Sequence, residues 1–480
     1  MALRTANVIG SGPNGLAAAV TLAQCGVAVT VFERNESIGG ACSTAELTLP
    51  GFKHDVGSSC FPLGVASPFF RSLPLEDFGL RWIEPPTPLA HPLDDGSAVM
   101  LEHDLEAMAA QLEPHDARAW SALMGPSVRD WGELVDAVMQ PWMGLPQRLD
   151  TMVGFGSVAT FPARGLARAI FRGERARVLF AGIAAHSVLP LTHVGSSAVG
   201  LLLASAGHTT GWPVASGGAR CITQALAGLL RSLGGRIVTE FEVHSLDELD
   251  RVNAADVTLF DTSAEALAQI AGDALTGSFR ARLRRFKHGP GIFKVDYALR
   301  QPIPWKAAEC GRAATVHLGG SLEEIVASEA EASAGRQNDR PFVLVVQPSL
   351  FDPERAPMAE DGTAQHTAWA YCHVPGGSDE DRTAVIDAQI ERFAPGFGEC
   401  VLARRSWNAT ALEMVNPNLR CGDVSGGAMT LEQLVARPTL RGYRTSNRAI
   451  YLCSSSTVPG GGVHGMCGYN AALAVLKDWG

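Results

Sequence analysis

The chain opens with short apolar runs separated by a helical stretch. Ala6 to Gly10 reads as a buried strand, Leu16 to Cys25 as an alanine-rich helix stopped by Gly26, and Val27 to Phe32 as a second apolar strand closed by Glu33. Strand, turn, helix and strand in about thirty residues is the size of one βαβ unit. From about Glu76 to Gly207 the pattern turns helical, at Asp104 to Leu112, Asp116 to Met139 and Leu166 to Ala184, with Trp120, Trp131 and Trp142 among the apolar positions. This block predicts a helical insertion, its tryptophans read first as packing residues and second as walls of a substrate tunnel. The helix Cys221 to Leu233 and the strands Arg236 to Val243 and Asp256 to Phe260, the latter ending in Asp261-Thr262-Ser263, return to the opening pattern. Pro290 to Leu299, Pro341 to Leu350 and Thr367 to Val374 are rich in β-formers and predict a second sheet, and Pro395 to Gly398 marks a turn. Ala449 to Cys453 is a last compact strand, and Tyr469 to Lys477 a last helix. No repeat of 20 to 50 residues interrupts the series. The expected class is therefore α/β: a discontinuous Rossmann-like domain (1–75, 211–288 and 426–480), a helical insertion (76–210) and a mixed-sheet substrate domain (289–425).

The first turn carries Gly10-Ser-Gly12-Pro-Asn-Gly15. Gly10 permits the tight turn, Gly12 lets backbone approach a pyrophosphate, and Gly15 allows close helix-to-strand packing, while the helix N-terminus adds partial positive charge. Glu33 ends the second strand about twenty residues on, where a carboxylate accepts from a ribose 2′-OH, which disfavours a 2′-phosphate. The motif gains weight from its strand-turn-helix-strand context.

Composition narrows the partners. At 480 residues, with 46% hydrophobic and 18% charged positions, the chain fits two to three globular domains. Its 39 basic and 49 acidic side chains give a formal charge of -10, which argues against a general binder of nucleic acid or anionic membrane. The ten cysteines include no C-x-x-C pair, so a reducing, cytoplasmic setting is expected. The apolar strand begins too early to leave room for a secretion signal, and the longest weakly polar stretches, near a dozen residues, fall short of the roughly twenty needed to span a bilayer.

A second glycine pair follows the ribose carboxylate, in Glu33-Arg34 and then Ile38-Gly39-Gly40-Ala41-Cys42. Near the end, Ser454-Ser455-Ser456-Thr457-Val458 leads into Pro459-Gly460-Gly461-Gly462-Val463-His464-Gly465 and a helix. Bare backbone and a positive dipole end placed there suit a planar, electron-rich ring. Together with Gly51 to Gly57 and Gly217-Gly218, these segments resemble the phytoene-desaturase-like flavoproteins over the whole chain. That family includes carotenoid desaturases and isomerases, and a branch named pyridine nucleotide-disulfide oxidoreductase domain-containing protein 2, although this chain has neither a redox cysteine pair nor a second dinucleotide fingerprint. The resemblance implies FAD, held by Gly10, Gly12, Gly15, Glu33 and Arg34, by Gly39, Gly40 and Ala41, by Val243 and Thr262, and by Ser456, Gly461, Gly462 and Val463. The chain departs from the family at Ala41, commonly Arg, at Ser454, usually Gly, and at Val458, often His or another residue.

The chemistry implied is removal of two hydrogens from a mostly apolar organic substrate, by a dehydrogenase, desaturase, oxidase or isomerase, with hydride passing to flavin N5 and oxygen or a quinone as acceptor. Strand alternation puts Lys294 and Asp296 on one face, and Lys294 resembles the lysine that amine-oxidase relatives hold beside N5 through a water. His464, inside the glycine loop, is the histidine placed to transfer protons near neutral pH, or simply to bond backbone. His54 and Asp55 read as structural in their turn, and no histidine spacing suggests a metal. Arg164, Arg168 and Arg172 share a helical face, with Arg175 and Arg177 adjacent. That patch, like Arg280 to Lys287, is a solvated face or a contact for anionic lipid or acidic substrate. The alternatives are an amine or amino-acid oxidase of the same broad fold, and a flavin-retaining scaffold that acts through partners.

Overall fold

Val8, Val31 and Leu259 are wholly buried and Val29 and Val257 nearly so, the environment that parallel strands covered on both faces require. In the computed structural model, which describes residues 3–140 and 149–480, five strands lie side by side in the order Ile450–Leu452, Val257–Phe260, Thr5–Ile9, Ala28–Phe32 and Arg236–Val238, all parallel. The helix Pro13–Gln24 starts with proline in its first turn and buries Leu16 to Ala19. It packs against the last helix, Met466–Trp479, so closely that a β-carbon on Gly468 would lie 1.7 Å from the Asn14 carbonyl oxygen. The two chain ends thus form one layer over the parallel sheet.

The second sheet has seven strands in the order Val401–Trp407, Gly291–Leu299, His366–Val374, Val343–Val346, Ala313–Leu318, Thr87–Pro92 and Ala98–Leu101. Every pairing is antiparallel except Ala313–Leu318 with Thr87–Pro92. Its outer face, with Val295, Tyr297, Val316, Val345 and Ala370, packs on Ile386, Ile390 and Phe393 of the helix Thr383–Phe393. The inner face turns to the helices Pro114–Arg129, Ala163–Ile170, Glu174–Ala185 and Ser196–Gly207, where Leu89, Leu344 and Phe342 join Trp120, Phe171 and Phe180 in a second core.

Several elements differ from the sequence expectation. The block 76–210 is not wholly helical, because Thr87–Pro92 and Ala98–Leu101 complete the second sheet. The stretch Asp116 to Met139 forms two helices, Pro114–Arg129 and Trp131–Val138. Leu166 to Ala184 also divides, where the Asp116 carboxylate accepts from the amides of Arg172 (2.8 Å) and Gly173 (2.6 Å). The expected strand Arg236 to Val243 ends at Val238, since Glu240 turns with φ 57° and the next residues bond the 33–35 loop instead. Trp120 and Trp131 are buried packing residues, and Trp142 lies outside the described residues. All ten cysteines are free thiols. Among the described residues, no helix is long and apolar enough to cross a membrane.

Candidate functional site

The glycine turn is built by close approach. Gly10 has φ 100°, and a β-carbon on Gly15 would lie 2.2 Å from the Gly10 carbonyl oxygen, so the helix can start against the strand only with glycine there. Glu33, 5% exposed, faces this turn: one carboxylate oxygen accepts from the Ser11 hydroxyl (2.6 Å) and amide (3.2 Å), the other from the Asn35 amide and side chain (3.0 Å each). Arg34 beside it is exposed and pairs loosely with Glu242 at 3.7 Å.

The second glycine pair folds onto the first turn. The Gly39 amide donates to the Ser11 hydroxyl at 3.2 Å, and a β-carbon on Gly40 would meet Gly12 Cα at 4.0 Å and the Asn416 side chain at 3.7 Å. Ala41 follows, its carbonyl tight against Gly57. From the C-terminal end, Asn14 donates to the Ser455 hydroxyl at 3.4 Å, while its own Oδ1 is buried without a partner among the described residues. Ser456 is buried and donates to the Gly426 carbonyl, and Gly461 lies against Ser425. Val463 is half-buried beside Gly64, and Gly462 is exposed. Thr262 is buried at the end of its strand, and Val243 sits in the apolar cluster around Phe32 and Leu249.

These positions fit a dinucleotide with an attached ring system. The positive dipole end of the helix Pro13–Gln24 suits a diphosphate, the orphaned Asn14 oxygen and the serine hydroxyls suit polyol hydroxyls, and Glu33 suits a ribose. The chemistry of the donor set therefore matches the group the motifs imply.

Asp261 is a site residue that the sequence marked only as the end of a strand. Its Oδ2 accepts from the Gly15 amide at 2.9 Å and would sit 2.6 Å from a β-carbon on Gly12, which places a carboxyl group directly at the helix N-terminus. Burial, partly opposed by the glycine amides and reinforced by the charge of Glu33, pushes its pKa up to about 7. Between the ordinary carboxylate range near 4 and that value, the folded protein keeps a proton that the unfolded chain has lost. Stability therefore falls as pH rises through this interval and is level above it. Asp261→Asn keeps the acceptor without the charge, so it is expected to be more stable than the parent at pH 8, by up to about 4 kcal/mol for a three-unit shift, and equally stable near pH 4. Melting curves at the two pH values check this.

Lys294 and Asp296 emerge on the inner face of the second sheet, as alternation required. Lys294, 1% exposed, donates to Asp296 Oδ1 at 2.5 Å and to the Asp55 carbonyl at 2.9 Å, and its ammonium lies 5.1 Å from the centre of the Trp369 ring. Asp296 also accepts from the Trp407 indole at 3.0 Å and faces His54 at 3.7 Å. Asp55 ties this pair to the glycine segments. Its carboxylate accepts from Thr44, Ser59, the Ala219 amide and the buried guanidinium of Arg355. Arg355, which carries no periodic signal in the sequence, also bonds Asp352 at 2.8 Å and the Ala215 carbonyl. The structural reading of His54 and Asp55 thus matches their contacts.

His464 is 1% exposed, with Nδ1 accepting from the Met466 amide at 3.1 Å and its carbonyl accepting from Ser67. Burial pushes its pKa down to about 4, so the expectation of titration near neutrality is corrected: the ring is neutral at pH 7 and braces the loop. Among the described residues, the side chains of four of the five arginines near residue 170 have partners within the chain. Arg164 and Arg168 share Glu323, while Arg175 and Arg177 donate to backbone carbonyls. Among the described residues, no cluster of His, Cys, Asp and Glu could hold a metal ion.

Comparison with known proteins bears on this geometry. Residues 8–73 match the model of an NAD(P)-binding Rossmann-like domain. The chain is 26% identical to mouse pyridine nucleotide-disulfide oxidoreductase domain-containing protein 2, over 98% of this chain and 93% of the relative. It is 24% identical to a lycopene-forming phytoene desaturase of Paracoccus, over 99% and 98% of the two chains. A crystal structure of an oxidoreductase from Methanosarcina mazei superposes with a TM-score of 0.67 at 16% identity, covering 98% of this chain and all of that one, a likeness of fold.

Proposed function

Taking the chain as a phytoene-desaturase-like oxidoreductase, the placement its near full-length relatives support, we propose that it is an FAD-dependent dehydrogenase or desaturase acting on a mostly apolar organic substrate. The observation that carries this reading is the convergence of three segments. Gly10 to Gly15 meets Gly39-Gly40 and, through Asn14 and Gly468, the C-terminal strand and helix, while Asp55 links the same region to Lys294.

Bound FAD would supply the two-electron acceptor for hydride, with oxygen or a quinone as the final acceptor. The chain's own residues do the rest. The positive N-terminal end of Pro13–Gln24 would hold the diphosphate, Glu33 the adenosine ribose, and Ser455 and Ser456 the polyol. Lys294 has three N–H donors, of which Asp296 and the Asp55 carbonyl take two. The third is left to fix a water or a substrate atom, so Lys294 holds a proton at Nζ beside the reacting bond.

Lys294→Met is expected to keep flavin bound and to slow anaerobic flavin reduction by substrate about 100-fold, the usual contribution of a positioned proton donor or acceptor. Stopped-flow bleaching of the flavin, with candidate hydrocarbons, terpenoids and amines as reductants, measures this and identifies the substrate class. An unchanged rate would remove Lys294 from the chemistry. Bleaching by amines alone would move the activity to amine oxidation.

A further inference from the structure

The glycine turn leaves the middle of the parallel sheet, and an acid stands on each side of it. Thr5–Ile9 pairs with Ala28–Phe32 on one flank and with Val257–Phe260 on the other, and the next residue of each flanking strand is Glu33 or Asp261. The Gly10 amide donates to the Phe32 carbonyl and the Asp261 amide to the Ile9 carbonyl, both at 2.8 Å, which holds the two acids level with the turn. Glu33 takes the Ser11 amide and hydroxyl from one side, and Asp261 Oδ2 takes the Gly15 amide from the other.

Among the described residues, neither acid has an ion-pair partner. Arg34 is engaged with Glu242, and Ala41 brings no charge. Glu265, in the helix Ala264–Ile270 that follows Asp261, is taken by His288 at 3.0 Å. The Asn418 side chain, packed across the turn, donates to the backbone carbonyl of Asp261 and not to its carboxyl. The remaining titratable neighbours are the thiols of Cys453 and Cys467, which burial keeps neutral at pH 7, Cys467 being pushed up to about 11. Glu33 is buried, whereas Asp261 is only part-buried, so its carboxyl keeps open surface at the helix end. That end carries the equivalent of about half a positive charge, which one ionised carboxylate would outweigh.

We propose that Asp261 binds the cofactor's diphosphate as a neutral carboxylic acid, Oδ2 accepting from the Gly15 amide and Oδ1 carrying a proton donated to a phosphate oxygen, so that each cofactor bound takes up one proton from solvent. This rests on the proposed function and adds to its diphosphate site a residue whose charge state decides affinity. The carboxyl of the free protein, raised to about 7 by burial and by Glu33, is poised for that uptake, and an approaching anion raises it further. By linkage, affinity is level below that value and falls about tenfold per pH unit above it.

The test is equilibrium dialysis of the full-length chain against FAD between pH 6 and pH 8.5, and in parallel against ADP-ribose, which has the same adenosine diphosphate and no flavin. The diphosphate stays ionised throughout, so the ligands themselves do not titrate there. FAD is expected to bind about 30-fold more weakly at pH 8.5 than at pH 6, and calorimetry in buffers of different ionisation enthalpy to count close to one proton taken up per FAD at pH 8. Asp261→Asn keeps an acceptor and a donor without ionising. It is expected to match the parent at pH 6 within about threefold and to change by less than about threefold across the range. A flat profile in the parent, or one as steep in Asp261→Asn, would overturn the role of Asp261 and leave the flavin reading standing. ADP-ribose following the steep profile while FAD fails to bind would do the reverse, and binding of neither would overturn both.

Discussion

Gly15→Ala protein is expected to purify without flavin. The added methyl would sit 2.2 Å from the Gly10 carbonyl oxygen and 3.0 Å from both Asp261 Cβ and Oδ2, whereas real β-carbons essentially never come closer than 3.0 Å to a neighbour. The obstacle is backbone rather than a flexible side-chain tip, so the helix must move off the strand, and its positive N-terminal end, where a diphosphate would sit, moves with it. Overpacking of this kind costs up to about 3 kcal/mol, which corresponds to about 100-fold in affinity. The readout is the ratio of flavin to protein absorbance after gel filtration, with FAD titrated back into the stripped protein. Gly125→Ala is the control. It lies in the helix Pro114–Arg129 with nothing within 4 Å of the new β-carbon, and it is expected to bind flavin as the parent does.

Arg355→Met is expected to lower stability by about 3–5 kcal/mol, the range for removing one partner of a buried ion pair. Arg355 and Asp55 are both fully buried and joined at 2.8 Å, and Asp352 holds the other edge of the guanidinium at 2.8 Å. Removing the cation strands two carboxylates in the interior. Burial by itself would raise the Asp55 pKa, but the Arg355 charge and the bonds from Ser59 and Thr44 outweigh it and hold the group below the usual carboxylate range. In the parent, this contribution is present at neutral pH and is lost as pH falls from near 4 through the depressed native value. In Arg355→Met the Asp55 pKa rises, so the variant is expected to lie furthest below the parent at pH 7 and to approach it in acid. Urea denaturation at pH 7 and pH 4 measures both effects. Because the Asp55 carbonyl holds Lys294, flavin reduction is also expected to slow in any fraction that folds.

The glycine-turn half of the candidate site was legible in the sequence because it is built from backbone. Gly10, Gly12 and Gly15 announce a turn by the absence of side chains, and the strand-helix-strand period around them places Glu33 without further information. The last strand and helix were legible for the same reason, and alternation along Gly291–Leu299 put Lys294 and Asp296 on one face. What the sequence hid depends on pairs far apart in the chain. Nothing near Asp261 indicates that its carboxyl fills the turn 246 residues earlier. Arg355 lies in a short irregular segment with no period to mark it, and its meaning comes from Asp55, 300 residues away. His464 misled in the opposite direction. Its glycine neighbours suggested an open loop, but packing against Ser67 and Met466 buries the ring and holds it neutral.

The most direct measurement is the visible spectrum of the freshly purified protein, followed by chromatography of whatever heat denaturation releases. The account predicts bound-flavin bands and one FAD released per chain. A colourless protein that also fails to take up added FAD would contradict it, because the meeting of the first and last segments would then serve some purpose other than holding that cofactor.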